Sequence, residues 1–247
     1  MIHPENMLSV DRTDWTSLPR SLHILTGTLA AMAIAVLGWS GWQFMDHLPA
    51  GGWIILAVFG IATFPFFIYF RRIETMVSIG DAYFMAIAIL HGPATCVVAT
   101  ATYALVFLLS IKSFKPFLFV FNFSVLVCDA FAYSMIFQLF KPAELHHFGA
   151  YVVPAGMMAL VSFLFTSVAT AAAVSWRREK RFSSVWLRAH LPLLLNSFIA
   201  ASAAVCIAAL SPHGKFAPLA IAPVIGFLWF WTNRYRVRLD RKEADFG

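Results

Sequence analysis

Long apolar runs separated by short polar segments make up most of the chain beyond residue 21. Eight runs can be distinguished, at about residues 22–42, 51–70, 79–91, 93–111, 117–140, 149–175, 189–210 and 217–233. A helix needs about 20 predominantly apolar residues to cross a hydrocarbon core of about 30 Å, and all the runs except the third are about that long. The pattern therefore predicts a bundle of membrane-spanning helices that includes one short segment, at residues 79–91.

The basic residues are concentrated in every second loop, which predicts how the helices are oriented. The second, fourth, sixth and eighth runs are followed by Arg71 and Arg72, by Lys112 and Lys115, and by the basic stretches 177–181 and 233–242. Loops rich in lysine and arginine stay on the cytoplasmic side. This alternation requires the short run 79–91 to count as a crossing, so the sequence predicts eight membrane segments with both termini in the cytoplasm.

The polar ends of the chain divide it into three predicted parts. Residues 1–20 form a cytoplasmic segment, residues 21–233 an integral membrane helical domain, and residues 234–247 a short basic cytoplasmic tail. The first part is polar and mixed in charge, which is not typical of a signal peptide. We therefore expect the first apolar run to be retained as a membrane span.

Composition excludes a soluble protein and fixes the fold class. The chain is 60% hydrophobic and 12% charged, whereas soluble domains keep about 25% charged residues. The apolar residues come in long blocks and not in short alternating strands, which predicts an all-α polytopic transmembrane bundle. The net charge of +6 comes from the loop clusters. We expect these clusters to contact lipid headgroups, so the predicted partner is the lipid bilayer and not nucleic acid.

Polar and helix-breaking residues mark both ends of the short run 79–91. Ser78 and Asp81 have the spacing of a helix capping box, whereas Gly92 and Pro93 are typical of a helix end followed by a new helix. The pattern predicts a helix of about 13 residues, near 20 Å long, that pairs as a hairpin with the next run. Such a short helix persists at membrane depth only where its ends are buried in protein or line a wet cavity. Asp81 is therefore either a helix cap or part of a binding site.

A polar stripe on the run 117–140 supplies the other candidate residues. Asn122, Asp129 and Tyr133 follow at i, i+7 and i+11, which places them near one face of a helix. An aspartate in the middle of a span costs about 2.5–3.5 kcal/mol on insertion scales, so it faces the bundle interior and finds a partner, a ligand or a proton path. The candidate ligand-binding residues are thus Asp81, Asn122, Asp129 and Tyr133. An interhelical hydrogen-bond network with a protonated aspartate is the alternative.

No motif in the sequence indicates catalysis, a metal site or a cofactor. The cysteines, at positions 96, 128 and 206, lie inside apolar runs without a CxxC motif, and we expect them to be small buried side chains. HExxH, a phosphate-binding glycine-rich loop and a nucleophile elbow are all missing from the sequence. We therefore expect no enzyme activity, with a membrane-embedded enzyme of scattered site residues as the alternative, and the cofactor stays unknown.

Three stretches carry a resemblance to a known family. They read VSIGDAYFMAIAILHGPATCVVATATYAL, PFLFVFNFSVLVCDAFAYSMIF and SFLFTSVATAAAVSWRREKRFSSVWLRAHLPLLL. They resemble the N-terminal multi-span membrane sensor domains of bacterial signalling proteins with GGDEF or HD-GYP output modules, over about residues 50–240. The matching residues are Ser78, Gly80, Asp81, Gly92, Pro93, Phe121, Asn122 and Trp186. The family has an asparagine in the sixth span where this chain reads FLFTS, and the output domain is missing here.

The resemblance implies a bacterial inner-membrane sensory or ligand-binding module without its own catalytic output. Such a module would act through a cytoplasmic or membrane signalling partner. A looser similarity to the substrate-binding subunits of energy-coupling-factor transporters supports a second hypothesis, a binding subunit for solute uptake. A third is a non-catalytic accessory subunit of a membrane complex. The ligand is not indicated, and homo-oligomer formation is left open.

Overall fold

The computed structural model describes residues 19–47, 49, 51–63, 68–70, 75–77, 80–110, 116–141, 148–177, 179, 181–187 and 194–211. Within these residues the chain is helical except for one short β-hairpin, which confirms the predicted all-helical class. The helices are α1 (Arg20–Asp46), α2 (Gly52–Ala62), α3 (Asp81–Leu109), α4 (Pro116–Phe140), α5 (Val152–Arg177), α6 (Phe182–Val185) and α7 (Leu194–Leu210). A 3₁₀ turn, Phe148–Tyr151, precedes α5.

Four helices in the described part of the chain are long and apolar enough to cross a membrane. They are α1, α3, α4 and the stretch Gly149–Arg177, which contains α5. Two shorter apolar helices, α2 and α7, accompany them. These lengths and compositions agree with a helical membrane protein. The predicted run 217–233 and the basic tail lie outside the described residues.

The predicted run 51–70 does not form a single helix that spans the membrane. Helix α2 has only 11 residues and ends before Thr63, whose hydroxyl donates a hydrogen bond to the carbonyl of Gly60 at 2.6 Å. The sequence places Pro65 two residues further on, and a proline disfavours helical backbone in the residue before it. Strands β1 (Ile68–Phe70) and β2 (Thr75–Val77) follow and pair antiparallel. The second apolar run is therefore a half-length helix followed by a strand.

Helix α3 folds back on itself at Gly92, as the sequence predicts from Gly92 and Pro93. Gly92 has φ +82° and ψ −179°, which interrupts the helical backbone. The ring centroids of Phe84 and Tyr103 lie 4.9 Å apart, whereas a straight helix would separate these residues by about 28 Å. We therefore describe α3 as two antiparallel arms, a first arm (residues 81–91) and a second arm (residues 93–109).

The first arm lies beside α2 and α4 and begins near the middle of the bundle. A Cβ atom at Gly52 would lie 3.8 Å from the ring of His91, so the start of α2 meets the end of the first arm. The amide of Gln138, near the end of α4, lies 3.5 Å from the carbonyl of Ala88. Counting back at 1.5 Å per residue places Asp81 at about the depth of Asp129, halfway along α4.

The first arm is the centre of the hydrophobic core. All eight residues from Ala82 to Ile89 are buried, so this arm is surrounded by protein on every side. Helix α3 contacts α1, α2, α4 and α7, while α4 and α5 pack against each other. An apolar helix that is buried on all faces belongs to the interior of a bundle. The fold thus places Asp81, which is half-buried at the start of this arm, at mid-depth in the bundle.

Candidate functional site

Asp129 lies in the middle of α4 and is buried between helices. Its side chain is 7% exposed. The hydroxyl of Ser162, on α5, donates a hydrogen bond to Oδ2 of Asp129 at 2.9 Å. The other carboxyl oxygen, Oδ1, is inaccessible to solvent and has no hydrogen-bond partner among the described residues. One half of this carboxyl group is therefore satisfied by α5 and the other half is not.

A second polar group of the site links both arms of α3 to α4. The thiol of Cys96 lies 3.2 Å from the hydroxyl of Tyr133 and 4.0 Å from the hydroxyl of Thr100. The same sulfur lies 3.4 Å from the carbonyl oxygen of Phe84, to which it donates. Tyr133 follows Asp129 by one helical turn, so these groups adjoin the carboxyl. Cys96 thus joins the first arm, the second arm and α4 at one point.

Asp81 completes this polar cluster from the start of the first arm. Its carboxylate lies within electrostatic range of both Asp129 and Tyr133. The first turn of a helix favours a negative side chain because the amide groups there carry partial positive charge. We call the residues Asp81, Cys96, Asp129, Tyr133 and Ser162 the mid-depth cluster. It brings together side chains from α3, α4 and α5.

Three of the four predicted ligand-binding residues belong to the mid-depth cluster, and Asn122 does not. The side chain of Asn122 is exposed on the outside of α4. Its neighbours Phe121 and Val125 are buried against Leu29 and Ala169 of α1 and α5. These contacts fix the rotation of the first turns of α4 and direct Asn122 away from the bundle. The predicted stripe is therefore shared by Asp129 and Tyr133 alone.

The predicted capping box at the start of the short helix stays a prediction, because one of its two residues is outside the described part of the chain. The helix begins at Asp81, directly after Gly80, whose carbonyl accepts the amide of Tyr83 at 2.9 Å. Ser78, the predicted cap, lies outside the described residues. At the other end, Gly92 and Pro93 form the predicted turn between the two arms.

Sequence reasoning missed two members of the mid-depth cluster, Cys96 and Ser162. Cys96 was expected to be only a small buried side chain, and Ser162 was not among the candidate residues. Cys96 is four residues before Thr100, which is a spacing that puts two polar side chains on one helical face. That pair was the available signal. The position of Ser162 opposite Asp129 had none in the sequence.

In the part of the chain that the structure describes, no three or more histidine, cysteine, aspartate or glutamate side chains lie close enough together to hold a metal ion. The lysines and arginines that the structure describes lie at helix ends or beyond them; they are Arg20, Lys141, Arg177 and Arg181.

Helices α1 and α4 also form a separate lipid-facing groove of about 150 Å³, which Ala33, Leu37, Phe119 and Phe123 help to line. No member of the mid-depth cluster lines this groove.

Comparison with protein-family models, curated proteins and solved structures finds no match for this chain.

Proposed function

We propose that the chain is an integral membrane sensory or ligand-binding module whose site is the mid-depth cluster. Oδ1 of Asp129 carries this proposal, because a buried carboxyl oxygen without a partner is ready to bind one. Each polar group left unsatisfied in hydrocarbon costs several kcal/mol. Ionisable side chains inside a membrane are for that reason rare, and they mark ligand, ion or proton sites.

Among the described residues, two other buried oxygens have no partner, but they do not compete with Asp129 as a site. They are the hydroxyls of Thr26 and Ser40, on α1. A hydroxyl in a helix can rotate toward the carbonyl four residues back, so it can be satisfied by its own helix. The carboxyl of Asp129 is instead held by the hydrogen bond from Ser162 on another helix, so Oδ1 cannot turn in the same way. A bound molecule would therefore gain the most binding free energy at the mid-depth cluster.

The sensing step would be a change in how α4 packs against α5. Asp129 is enclosed, so a ligand reaches it only when these helices separate. A ligand bound at Oδ1 of Asp129 would favour the separated packing, provided that it binds that packing more tightly than the closed one. Helix α5 ends at Arg177, at the start of a basic stretch. A movement of α5 would thereby reach the predicted cytoplasmic side and a signalling partner there.

The topology of the proposal follows from the loop charges and from the resemblance. It comprises eight membrane segments in a bacterial inner membrane, with both termini in the cytoplasm and no catalytic activity of its own. The first arm counts as the short third segment. The alternation of basic loops supports this arrangement.

Native mass spectrometry of protein released gently from its own membrane tests the proposal. We expect a small molecule bound to the wild-type protein and its loss in Asp129→Leu. The matched control is Asn122→Leu, which removes an amide of similar size from the outer face of the same helix and should keep the molecule. A wild-type protein without any small molecule would contradict a binding function. Fixed-ratio association with other polypeptides would then favour an accessory subunit.

One structural observation supports solute uptake as a second candidate function. Helix α2 and the first arm are each 11 residues long, and the first arm begins at about the depth of Asp129. Transporters commonly place their substrates near the membrane midplane at the ends of such interrupted helices. Uptake of the co-purified molecule into vesicles that contain this protein and energising partner subunits would favour this candidate. Binding without uptake in that assay would favour the sensory module.

A further inference from the structure

The protonation state of Asp129 determines which chemical class of ligand the site accepts, and this inference rests on the proposed function. We propose that Asp129 is uncharged and presents an O–H donor at Oδ1, so that the ligand is an uncharged, membrane-soluble molecule with an oxygen acceptor such as a carbonyl. The alternative occupant of a carboxyl site is a cation. The neutral ligand would place an acceptor oxygen against Oδ1, whereas a cation would place its positive charge there.

The described residues around Asp129 offer a negative charge only one hydrogen bond. The side chain is buried, and its hydrogen bond from Ser162 comes from an uncharged hydroxyl. An isolated carboxylate in a medium of low dielectric constant is so costly that the group takes up a proton instead. Asp81 lies within electrostatic range and would repel a second negative charge. Both effects favour the neutral acid.

The other titratable groups that the structure describes around Asp129 supply no positive charge. Those within electrostatic range are Asp81 and Cys96 on α3 and Cys128 and Tyr133 on α4. Each of these groups is either neutral or negative. The described titratable residues of α1 and α5 lie in the terminal turns and are Arg20, His23, Asp46 and Arg177. No described neighbour therefore serves as a counter-ion at the middle of the bundle.

The direction of the hydrogen bond from Ser162 then assigns the two oxygens of the acid. In this assignment the 2.9 Å hydrogen bond is donated by Ser162 to Oδ2, which acts as the carbonyl oxygen of the carboxyl group. The acidic proton is on Oδ1, the atom that has no partner among the described residues. A donor without an acceptor is the group that the bundle leaves incomplete. A ligand with an oxygen acceptor completes it, whereas a cation does not.

Infrared spectroscopy of the full-length protein in lipid tests this assignment without any ligand. We expect the carbonyl absorption of a protonated carboxyl group at neutral pH, shifted by exchange into heavy water and missing from Asp129→Asn. The opposite result, a wild-type spectrum without a protonated-carboxyl band that depends on Asp129, would overturn the proposal. It would leave the proposed binding function standing, because a carboxylate can still bind a cation.

A comparison of two substitutions tests the ligand class through the co-purified molecule. Asparagine keeps an oxygen for Ser162 and an N–H donor in the position of Oδ1, whereas leucine keeps neither. We expect native mass spectrometry to find the molecule retained in Asp129→Asn and lost in Asp129→Leu. Loss from both variants, with both proteins folded, would mean that the ligand requires a negative charge and would overturn the proposal. If the wild-type protein carries no molecule, the binding function fails, and the infrared band still decides the state of Asp129.

Discussion

The thiol of Cys96 and the hydroxyl of Tyr133 lie 3.2 Å apart although 36 residues separate them along the chain. The contact joins the second arm of α3 to α4 one turn from Asp129. Replacement of Tyr133 by phenylalanine removes the hydroxyl and keeps the ring. Loss of one buried hydrogen bond costs about 1 kcal/mol, so we expect Tyr133→Phe to lower the free energy of unfolding by about that amount. Unfolding in mixed micelles measures it, and Tyr151→Phe, at a tyrosine outside the cluster, should have a smaller effect.

The close approach of α2 to the first arm depends on Gly60. A Cβ atom at this position would lie 2.8 Å from Cζ of Phe84. Overpacking of a core typically costs about 1–3 kcal/mol, and we expect Gly60→Ala to destabilise the protein within that range. The control is Gly41→Ala, since a Cβ at Gly41 has open space around it. A smaller side chain without a ring should relieve the clash, so Gly60→Ala should destabilise the Phe84→Leu variant less than the wild-type protein. Equal losses of stability with and without Phe84 would contradict this packing.

The turn between the two arms of α3 requires glycine at position 92. Its φ of +82° with ψ of −179° belongs to a region that only glycine adopts readily, and other residues pay about 1–3 kcal/mol there. No atom would clash with a Cβ at this position, so the backbone alone decides the outcome. We expect Gly92→Ala to lower the thermal midpoint of unfolding. Gly149→Ala, also in open space but without positive φ, is the matched control and should change it little.

The indole of Trp186 fastens the segment after α6 to α5. Its Nε1 donates a hydrogen bond to the hydroxyl of Ser167 at 2.9 Å. A double-mutant cycle with Trp186→Phe and Ser167→Ala separates this bond from the packing of the ring against Phe163. We expect a coupling free energy of about 0.5–1.5 kcal/mol, measured as the difference in unfolding free energies. Additive losses in the two single variants would show that the hydrogen bond contributes nothing.

The turn that ends the short helix could be predicted from the sequence, because glycine and proline act through the local backbone. Gly92 and Pro93 mark the turn whatever surrounds them, and Asp129 had to face the interior because lipid excludes a polar side chain. The half-length of α2 was not foreseen. Its apolar composition continues into β1, and hydrophobicity alone does not distinguish a helix from a strand within one apolar run.

The side chains that contact the site residues could not be predicted from the sequence either. Which side chain meets Asp129 depends on how far each helix is rotated about its axis, and an almost uniformly apolar helix leaves that rotation undetermined. Packing of Phe121 and Val125 sets it for α4 and turns Asn122 outward. The turn between the two arms of α3 then brings Cys96 to Tyr133. This contact requires the fold of α3 and not only its periodicity.

The central position of Asp129 also determines how an electric field acts on it. It is the fourteenth of the 25 residues of α4, so a proton that reaches it from either side crosses about half of the hydrocarbon. One elementary charge that crosses a whole membrane at 100 mV changes the free energy by about 2.3 kcal/mol, and half of that distance gives about 1 kcal/mol. The occupancy of this carboxyl by a proton would thus respond to the membrane potential, with a several-fold change per 100 mV if protons arrive from one side only.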